Sequence, residues 1–329
     1  MRHTVVAAVV AITTGTAAET LSLSSLRLPG GPPVGMDYLA YDAQSGLLFV
    51  PGSNTGKLDV IDTRTGKLRS LDGWPTAQRD DRVAGITAAT TGAGYAYIGN
   101  RADSTVCAVE IETLARRGCV TLPSTPDGVF YVSPTREVWV TMPRDNSLLV
   151  LGLKDPANPT AAGTIRLEGQ PEGYAVDERR GIVFTNLEDK DKTLAIEARS
   201  RKVTATWSPE CGEKGPRGIA VDPDALHVFV ACFAGGLREF GSNGKILARL
   251  ETGAGVDNID WFPSGHLVYV ASAQEGKLTI ARSGAEGALS VVSVAQTVPG
   301  GRSVIVDGSG TAYIPDSKGG RLVLVKVAR

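Results

Sequence analysis

The chain has 329 residues, of which 42% are hydrophobic and 21% are charged, a balance typical of a soluble globular protein. It contains 39 glycines and 18 prolines, a density of turn-forming residues that long helices do not tolerate. The formal net charge is only −1, so no overall field draws the chain to nucleic acid or to an anionic membrane. The composition favours an all-β protein, and nucleic acid is not an expected partner.

The N-terminal segment differs from the rest of the chain. Arg2 gives a weakly basic start, residues 5–12 are apolar, and residues 16–18 form a small-residue cleavage site before Glu19. This pattern is typical of a secretory signal peptide over residues 1–18. The apolar run is too short for a membrane-spanning helix, which needs about 20 residues. The alternative is an ordinary first strand, because Val and Ile also favour sheets.

One sequence phrase returns seven times after this segment: a variable residue, an apolar run and a glycine-containing turn. Successive copies begin 40 to 47 residues apart. A period of this length, with β-branched residues in every unit, predicts propeller blades of four short antiparallel strands. We therefore expect residues 19–329 to form a single all-β domain, a seven-bladed β-propeller. The variable residues are Asp37, Ala84, Asp127, Glu172, Arg217, Asp257 and Arg302.

The fourth repeat predicts the strands of one blade. They fall at residues 173–176, 182–185, 193–197 and 203–207, separated by turn residues. The second strands of the other repeats carry similar short apolar runs, as expected where neighbouring blades cover both faces. The third repeat has an insertion at residues 154–160 with two prolines, which predicts a surface loop.

The last repeat is incomplete, because it supplies only three strands before the chain stops. A fourth strand is available at the other end, where residues 21–28 precede the first repeat. Pairing residues 21–28 with residues 322–327 would close the ring. Closure would remove two exposed sheet edges that otherwise invite aggregation.

The four cysteines predict two disulfides. Cys107 and Cys119 flank a turn, so they face each other across a two-stranded hairpin at a distance that suits a disulfide. Cys211 precedes the fifth repeat and Cys232 follows its second strand, and the two loops concerned lie on the same face of a blade. Disulfides are typical of exported proteins. The alternative is four buried free thiols in a cytosolic protein.

Several segments resemble a known family. Residues 36–67, 171–207, 211–232 and 252–272 are similar to the repeats of YVTN-repeat, YncE-like seven-bladed propellers of the bacterial envelope. The phrases VFVAC and VYVAS stand where the family has Tyr-Val-Thr-Asn. The resemblance covers essentially all of the mature chain. It implies the propeller architecture and export to the periplasm or outside the cell, but no particular chemistry.

The mouth of the central channel is the predicted binding site. Blade geometry brings the first residue of every inner strand to one ring, and clustered charges in a concavity mark a candidate site. Alternatively, ion pairs and water fill this funnel without any ligand. The predicted site residues are Asp37, Asp127, Glu172, Arg217, Asp257, Asn258 and Arg302. The loops above them carry Asn54, Arg101, Asp103, Arg144, Asp145, Asn186, Glu188, Asp189, Phe233, Gln274, Glu275 and Lys318.

The sequence places few typical metal ligands at the mouth. His3 lies in the signal segment, and His227 and His266 fall at turns on the face opposite the mouth. A zinc site at the mouth would therefore lack imidazole ligands. Oxygen ligands could instead hold Ca²⁺ or Mg²⁺, although two arginines of the ring would oppose it. No cofactor is expected; the oxygen ligands of the Ca²⁺ or Mg²⁺ alternative are Asp127, Glu172, Asp257 and Asn258.

Two classes of function remain. The first is an exported, monomeric binding or scaffold protein whose mouth contacts a protein, a peptide or a small ligand, with Glu172, Arg217, Asp257 and Arg302 as central contacts. The second is an enzyme at the same mouth, either a metal-dependent hydrolase resembling gluconolactonases or a lyase resembling streptogramin lyases. Those lyases use histidines and a glutamate at the mouth, and those lactonases have six blades around calcium. This chain has no histidine predicted at the mouth and has seven repeats, and both differences from those enzymes favour the binding protein.

Overall fold

Short strands dominate the computed structural model, which describes residues 21–79, 81–284 and 286–327. Thirty strands form seven four-stranded antiparallel sheets and one separate hairpin. The seven sheets are the blades of the predicted seven-bladed β-propeller, which the structure confirms. The predicted signal peptide, residues 1–18, lies outside the described residues. Within the described part of the chain, no helix is long and apolar enough to cross a membrane.

Within each repeat, the strands are arranged in chain order from the channel outward. Strand β1 (Leu21–Arg27) belongs to the seventh blade, and the first blade follows it in the chain. Blade 1 comprises β2 (Ala40–Asp42), β3 (Leu47–Gly52), β4 (Lys57–Asp62) and β5 (Leu68–Leu71). The hairpin of β6 (Ala77–Arg79) and β7 (Arg82–Ala84) comes next, and the repeat did not predict it. Blade 2 comprises β8 (Ile86–Gly92), β9 (Tyr95–Asn100), β10 (Thr105–Glu110) and β11 (Arg116–Thr121).

The remaining blades have the same order. Blade 3 comprises β12 (Val129–Val132), β13 (Glu137–Met142), β14 (Ser147–Gly152) and β15 (Thr160–Arg166). Blade 4 comprises β16 (Pro171–Asp177), β17 (Ile182–Leu187), β18 (Lys192–Glu197) and β19 (Lys202–Trp207). Blade 5 comprises β20 (Pro216–Asp222), β21 (His227–Cys232), β22 (Leu237–Phe240) and β23 (Ile246–Leu250). Blade 6 comprises β24 (Ile259–Phe262), β25 (Leu267–Ser272), β26 (Lys277–Ser283) and β27 (Leu289–Gln296). Blade 7 comprises β28 (Ile305–Val306), β29 (Ala312–Asp316), β30 (Arg321–Val327) and β1. Single 3₁₀ turns occur at Ser53–Thr55, Pro143–Asp145 and Pro263–Gly265.

The two ends of the chain close the ring. Strand β1 pairs antiparallel with β30, from Leu21 opposite Val327 to Arg27 opposite Arg321. The predicted closure is therefore confirmed. It gives β30 a partner on its outer edge, which would otherwise present unpaired backbone groups.

The core lies between neighbouring blades. Phe130 and Trp139 of blade 3 pack with Ile196 of blade 4 in one such cluster, and all three side chains are buried. All six residues of β21 are buried, because adjacent blades cover both of its faces. Burial of one large apolar side chain contributes about 1.5–3 kcal/mol to folding. The stacked blades thus hold the inner strands, and the residues that open them, in fixed positions.

Both predicted disulfides are present. Cys107 and Cys119 lie directly opposite each other on β10 and β11. Cys211 joins the segment before β20 to Cys232, the last residue of β21. The second bridge lies at the channel end where the inner strands begin, beside Phe233.

Candidate functional site

The predicted ring residues meet at one end of the channel. Arg302 is placed between two acids: its Nη2 lies 2.9 Å from Asp37 Oδ1, and its Nε lies 3.1 Å from Asp257 Oδ2. The three residues come from the starts of blades 7, 1 and 6, so one guanidinium joins three blades. Ala84, which the repeat places at the same level, lies in β7 and brings no charge.

Arg101 belongs to the same network, although the sequence placed it in a loop above the ring. Its Nη2 lies 2.8 Å from Asp37 Oδ2 and also contacts Asp127 Oδ1. Asp37 is therefore held by two guanidiniums, one on each carboxylate oxygen. Burial among these acids raises the pKa of the Asp127 carboxyl, and Arg101 opposes that rise.

Glu172 and Arg217 are adjacent, but each has a closer partner. Arg217 Nη1 lies 4.0 Å from Glu172 Oε2 and makes a much closer contact with Glu188, which follows β17. The hydroxyl of Tyr38 donates to Glu172 Oε1 at 2.6 Å. Glu172 and Arg217 therefore make only a long ion pair with each other. Neither Tyr38 nor Glu188 was among the predicted ring residues.

Tyr38 reaches across the channel from blade 1 to blade 4. Its ring stacks on Tyr174 with centroids 5.4 Å apart, and Tyr174 stacks on Phe130 at 4.3 Å. The Tyr38 N–H donates to the carbonyl of Thr87, and the Tyr38 carbonyl accepts from Ala89. Blades 1 and 2 therefore join edge to edge here, and aromatic side chains fill this part of the channel beneath the charges.

A glycine sets the local backbone at Glu172. Gly173 has φ +63° and forms an irregularity in the β16–β17 ladder between Glu172 and Tyr174. A β-carbon at this position would collide with the backbone carbonyl of Arg217. Glycine is needed both for the left-handed φ and for this close approach of two blades. The result places Glu172 and Arg217 side by side.

Three acids of the mouth are largely buried, and Arg302 is the most exposed charged side chain of the network. The side chains of Asp37, Glu172 and Asp257 are 8%, 11% and 11% exposed, whereas that of Arg302 is 49% exposed. Arg217 is 25% exposed and lies 5.3 Å from the centre of the Phe233 ring. A molecule that approaches the mouth meets guanidinium groups first. The carboxylates behind them hold these groups in place.

Burial changes the protonation of this network. The pKa of Asp257 is raised to about 7, chiefly by loss of water and also by the nearby Asp37, while Arg302 opposes the rise. Burial also raises the pKa of Glu172 well above its usual value, reinforced by Asp127 and Asp257. The ion pairs bring together five carboxylates and three guanidiniums. Proton uptake by Glu172 and Asp257 would bring the cluster close to neutral.

Asn258 and the histidines complete the predicted set. The backbone N–H of Asn258 donates to the carbonyl of Arg302, and its side chain lines the channel below the ring. His227 begins β21, where its Nδ1 lies 2.8 Å from Glu239 Oε1, and His266 lies in the turn before β25. Both histidines are at the end of the channel opposite the mouth.

The mouth does not fit a divalent cation. Across residues 21–79, 81–284 and 286–327, no group of three or more His, Cys, Asp or Glu side chains is arranged to hold a metal ion. Asp37, Asp127 and Asp257 each direct an oxygen at a guanidinium, so a cation would have to displace an arginine. A Ca²⁺ ion also needs 6–8 oxygen ligands.

Comparison with known proteins shows the fold and no closer relationship. No protein-family model and no curated protein matches the sequence. Virginiamycin B lyase from Staphylococcus aureus is 13% identical, with a TM-score of 0.73 over 94% of this chain and 100% of that chain. A chain of the mitotic checkpoint complex is 12% identical, with a TM-score of 0.77 over 100% and 98%. Hydrazine synthase of Kuenenia stuttgartiensis is 15% identical, with a TM-score of 0.72 over 97% and 99%. A variant of the lyase with one histidine replaced by alanine, solved with quinupristin, is catalytically inactive.

Proposed function

We propose that the protein is an exported binding protein, of the YVTN-repeat, YncE-like kind, that captures an acidic group of its partner at the channel mouth. The observation that carries this proposal is the arrangement of charge: exposed guanidiniums in front of buried carboxylates. A carboxylate on a peptide, a protein or a small ligand is the group that this surface fits.

Arg302 supplies the main donor. Its Nε and Nη2 are committed to Asp257 and Asp37, while its Nη1 makes no hydrogen bond within the described residues. The guanidinium is thus already oriented and still has donors free, so little side-chain entropy is lost when a ligand binds. Arg217 adds a second guanidinium at the mouth, where it contacts Glu188 and its side chain is 25% exposed.

The enzyme alternatives fit the mouth less well. The lyase among the structural neighbours loses activity when one histidine is replaced, whereas both histidines in the described part of this chain lie at the opposite end. A lactonase-like metal centre would need free carboxylates, and here guanidiniums engage them. A binding role through the arginines therefore has more support than catalysis.

The two disulfides support the proposed compartment. Such bonds persist in oxidising environments and are rare in the cytosol. With the signal pattern of residues 1–18, they favour the periplasm or the exterior of the cell. We propose that residues 19–329 act there as one domain, as a monomer and without a bound cofactor.

Peptide binding tests the proposal. A fluorescein-labelled peptide of alternating Asp and Glu is titrated with the protein and followed by fluorescence polarisation, beside a Lys peptide of equal length. We expect the acidic peptide to bind more tightly, and Arg302→Gln to weaken it by about tenfold or more, equivalent to about 1.4 kcal/mol. The matched control is Arg69→Gln, which removes an exposed arginine from β5, away from the mouth. Equal affinity for the two peptides, or equal loss in both variants, would rule out capture by the mouth.

A further inference from the structure

A cavity occupies the channel on the far side of the charged ring. It has a volume of about 370 Å³ and extends from Asp37 along the inner strands. Tyr41, Thr91, Val221 and Trp261 line its other end, near the ends of their strands, and each is partly exposed. The cavity therefore opens on the face opposite the mouth, and the proposed binding of an acidic group does not use it.

The charged groups that line this cavity are acidic. Its lining contains two charged side chains, Asp37 and Asp260, and no lysine, arginine or histidine. Asp37 is neutralised by Arg101 and Arg302. Asp260 forms no ion pair with any residue that the structure describes. Its carboxylate accepts instead from the backbone N–H of Val306 at 2.7 Å and of Trp261 at 2.9 Å.

The rest of the wall is aromatic or aliphatic. Trp261 stacks on Phe229 with centroids 5.0 Å apart, so its ring is fixed. Tyr41, Tyr174 and Tyr313 contribute further aromatic surface to the lining. Aromatic faces and a carboxylate without a cationic partner together form the kind of surface that binds organic ammonium groups.

We propose that this cavity is a binding site for a small organic cation with an apolar body. The cationic group lies against Asp260, and the body lies against Trp261 and Tyr41. The cation supplies the charge partner that Asp260 lacks, and the partly enclosed position limits the screening of the pair by water, which strengthens the attraction. A bare metal ion fits less well, because the cavity offers a single unpaired carboxylate.

Benzyltrimethylammonium is a suitable probe, because its charge does not change with pH. Binding is followed by isothermal titration calorimetry, with benzyl alcohol and benzoate as neutral and anionic analogues. We expect saturable binding of the cation with a Kd below about 10 mM, and Asp260→Asn to weaken it by about tenfold or more. The control is Asp224→Asn, which removes an exposed carboxylate on the same face, outside the cavity.

A second variant and a pH series test the proposal independently of the folding of Asp260→Asn. Ala175→Leu adds a larger side chain to the cavity wall on another strand and leaves Asp260 in place, so it should weaken binding even if Asp260→Asn folds poorly. Affinity should rise between about pH 5.5 and about pH 8, because burial raises the pKa of Asp260 to about 7 and only the ionised form attracts the probe. Absence of saturable binding, equal binding of benzyl alcohol, or full affinity in Asp260→Asn would overturn the proposal.

Discussion

Arg101 is the residue on which the buried charges of the mouth depend most. Its guanidinium neutralises Asp37 and Asp127, and its side chain is only 20% exposed. We expect Arg101→Gln to lower the free energy of unfolding by about 2–4 kcal/mol, because Asp127 loses its ion-pair partner and Asp37 loses one of two. Urea denaturation at neutral pH measures the change.

A double variant tests the cause of that loss. Arg101→Gln combined with Asp127→Asn removes both members of one pair, while Asp37 keeps Arg302. We expect this double variant to be more stable than the single Arg101→Gln variant, because fewer unpaired charges remain buried. A double variant of equal or lower stability would show that packing, and not charge, explains the role of Arg101.

Asp260 makes stability depend on pH. Burial raises its pKa in the folded protein from 3.8 to about 7. The folded state therefore holds this proton more tightly than the unfolded chain, and this stabilisation is lost as pH rises through about 7. We expect Asp260→Asn to raise the free energy of unfolding by roughly 2–4 kcal/mol at about pH 8 relative to its effect at about pH 4. Chemical denaturation at the two pH values, with Asp224→Asn as the control, measures it; a pH-independent difference would contradict the assignment.

Part of the mouth could be predicted from the repeat and part could not. The phrase places Asp37, Asp257 and Arg302 at one level, because each lies just before an inner strand, and the structure brings these three together. Arg101 and Glu188 occupy a second level, directly after the second strands of blades 2 and 4. The sequence placed both in loops above the ring, but it did not predict their ion pairs with the ring residues. The length of their side chains, rather than strand order, brings them into the network.

Tyr38 could not be predicted in this way. It follows Asp37 where three other inner strands have glycine after an acidic or basic residue, as in Asp127-Gly128. Its contact with Glu172 spans the channel between blades that are not neighbours. A repeat pattern describes one blade and its neighbour, so contacts across the channel lie outside what it predicts.

Strand β1 contributes at the level of whole elements. Most of its side chains are exposed, so its role is to pair with the outer edge of β30 along seven residue pairs. We expect deletion of residues 21–27 to lower the melting temperature by roughly 5 °C or more, because β30 becomes an open edge and blade 7 loses a strand. Differential scanning calorimetry measures the shift.

A peptide supplied separately is the control for that deletion. A synthetic peptide of residues 21–28 should pair with β30 and restore much of the lost melting temperature, while a scrambled peptide should not. An unchanged melting curve in the deleted protein would contradict the role of β1 in closing the ring.

The strands themselves were well predicted because the blade is a local repeat. The predicted second strand at residues 182–185 is the first part of β17, and the structure extends it by two residues. The hairpin of β6 and β7 was missed, because it lies between two copies of the phrase and has no counterpart in the other repeats. An element that occurs once gives no periodic signal.

At the scale of the whole molecule, the channel has two ends of opposite character. Guanidiniums face solvent at the mouth, and an unpaired carboxylate lines the cavity at the other end. Asp37 is common to both, since it holds the arginines and also borders the cavity. The single ring of inner strands therefore supports two separate surfaces, and the proposed acidic and cationic ligands would not compete for the same space.

The two disulfides link the fold to its compartment. Each closes a chain segment, of 12 and 21 residues in sequence separation, and a bond of this kind contributes about 2–4 kcal/mol. We expect the full chain, expressed in a bacterium with an oxidising periplasm, to be recovered there with its N-terminus near Glu19 and no titratable thiol. The chain from residue 19 onward, kept in a reducing cytosol, should have four titratable thiols and a lower melting temperature.

A variant with all four cysteines replaced by serine distinguishes the effect of the disulfides on stability from the effect of the compartment. Its melting temperature should be the same from either compartment and close to that of the reduced wild-type chain, because neither form has the cross-links. Intact-mass measurement gives the cleavage site, and thiol titration under denaturing conditions gives the redox state. Four free thiols in the exported protein, or an uncleaved N-terminus, would contradict export as the setting in which this propeller folds.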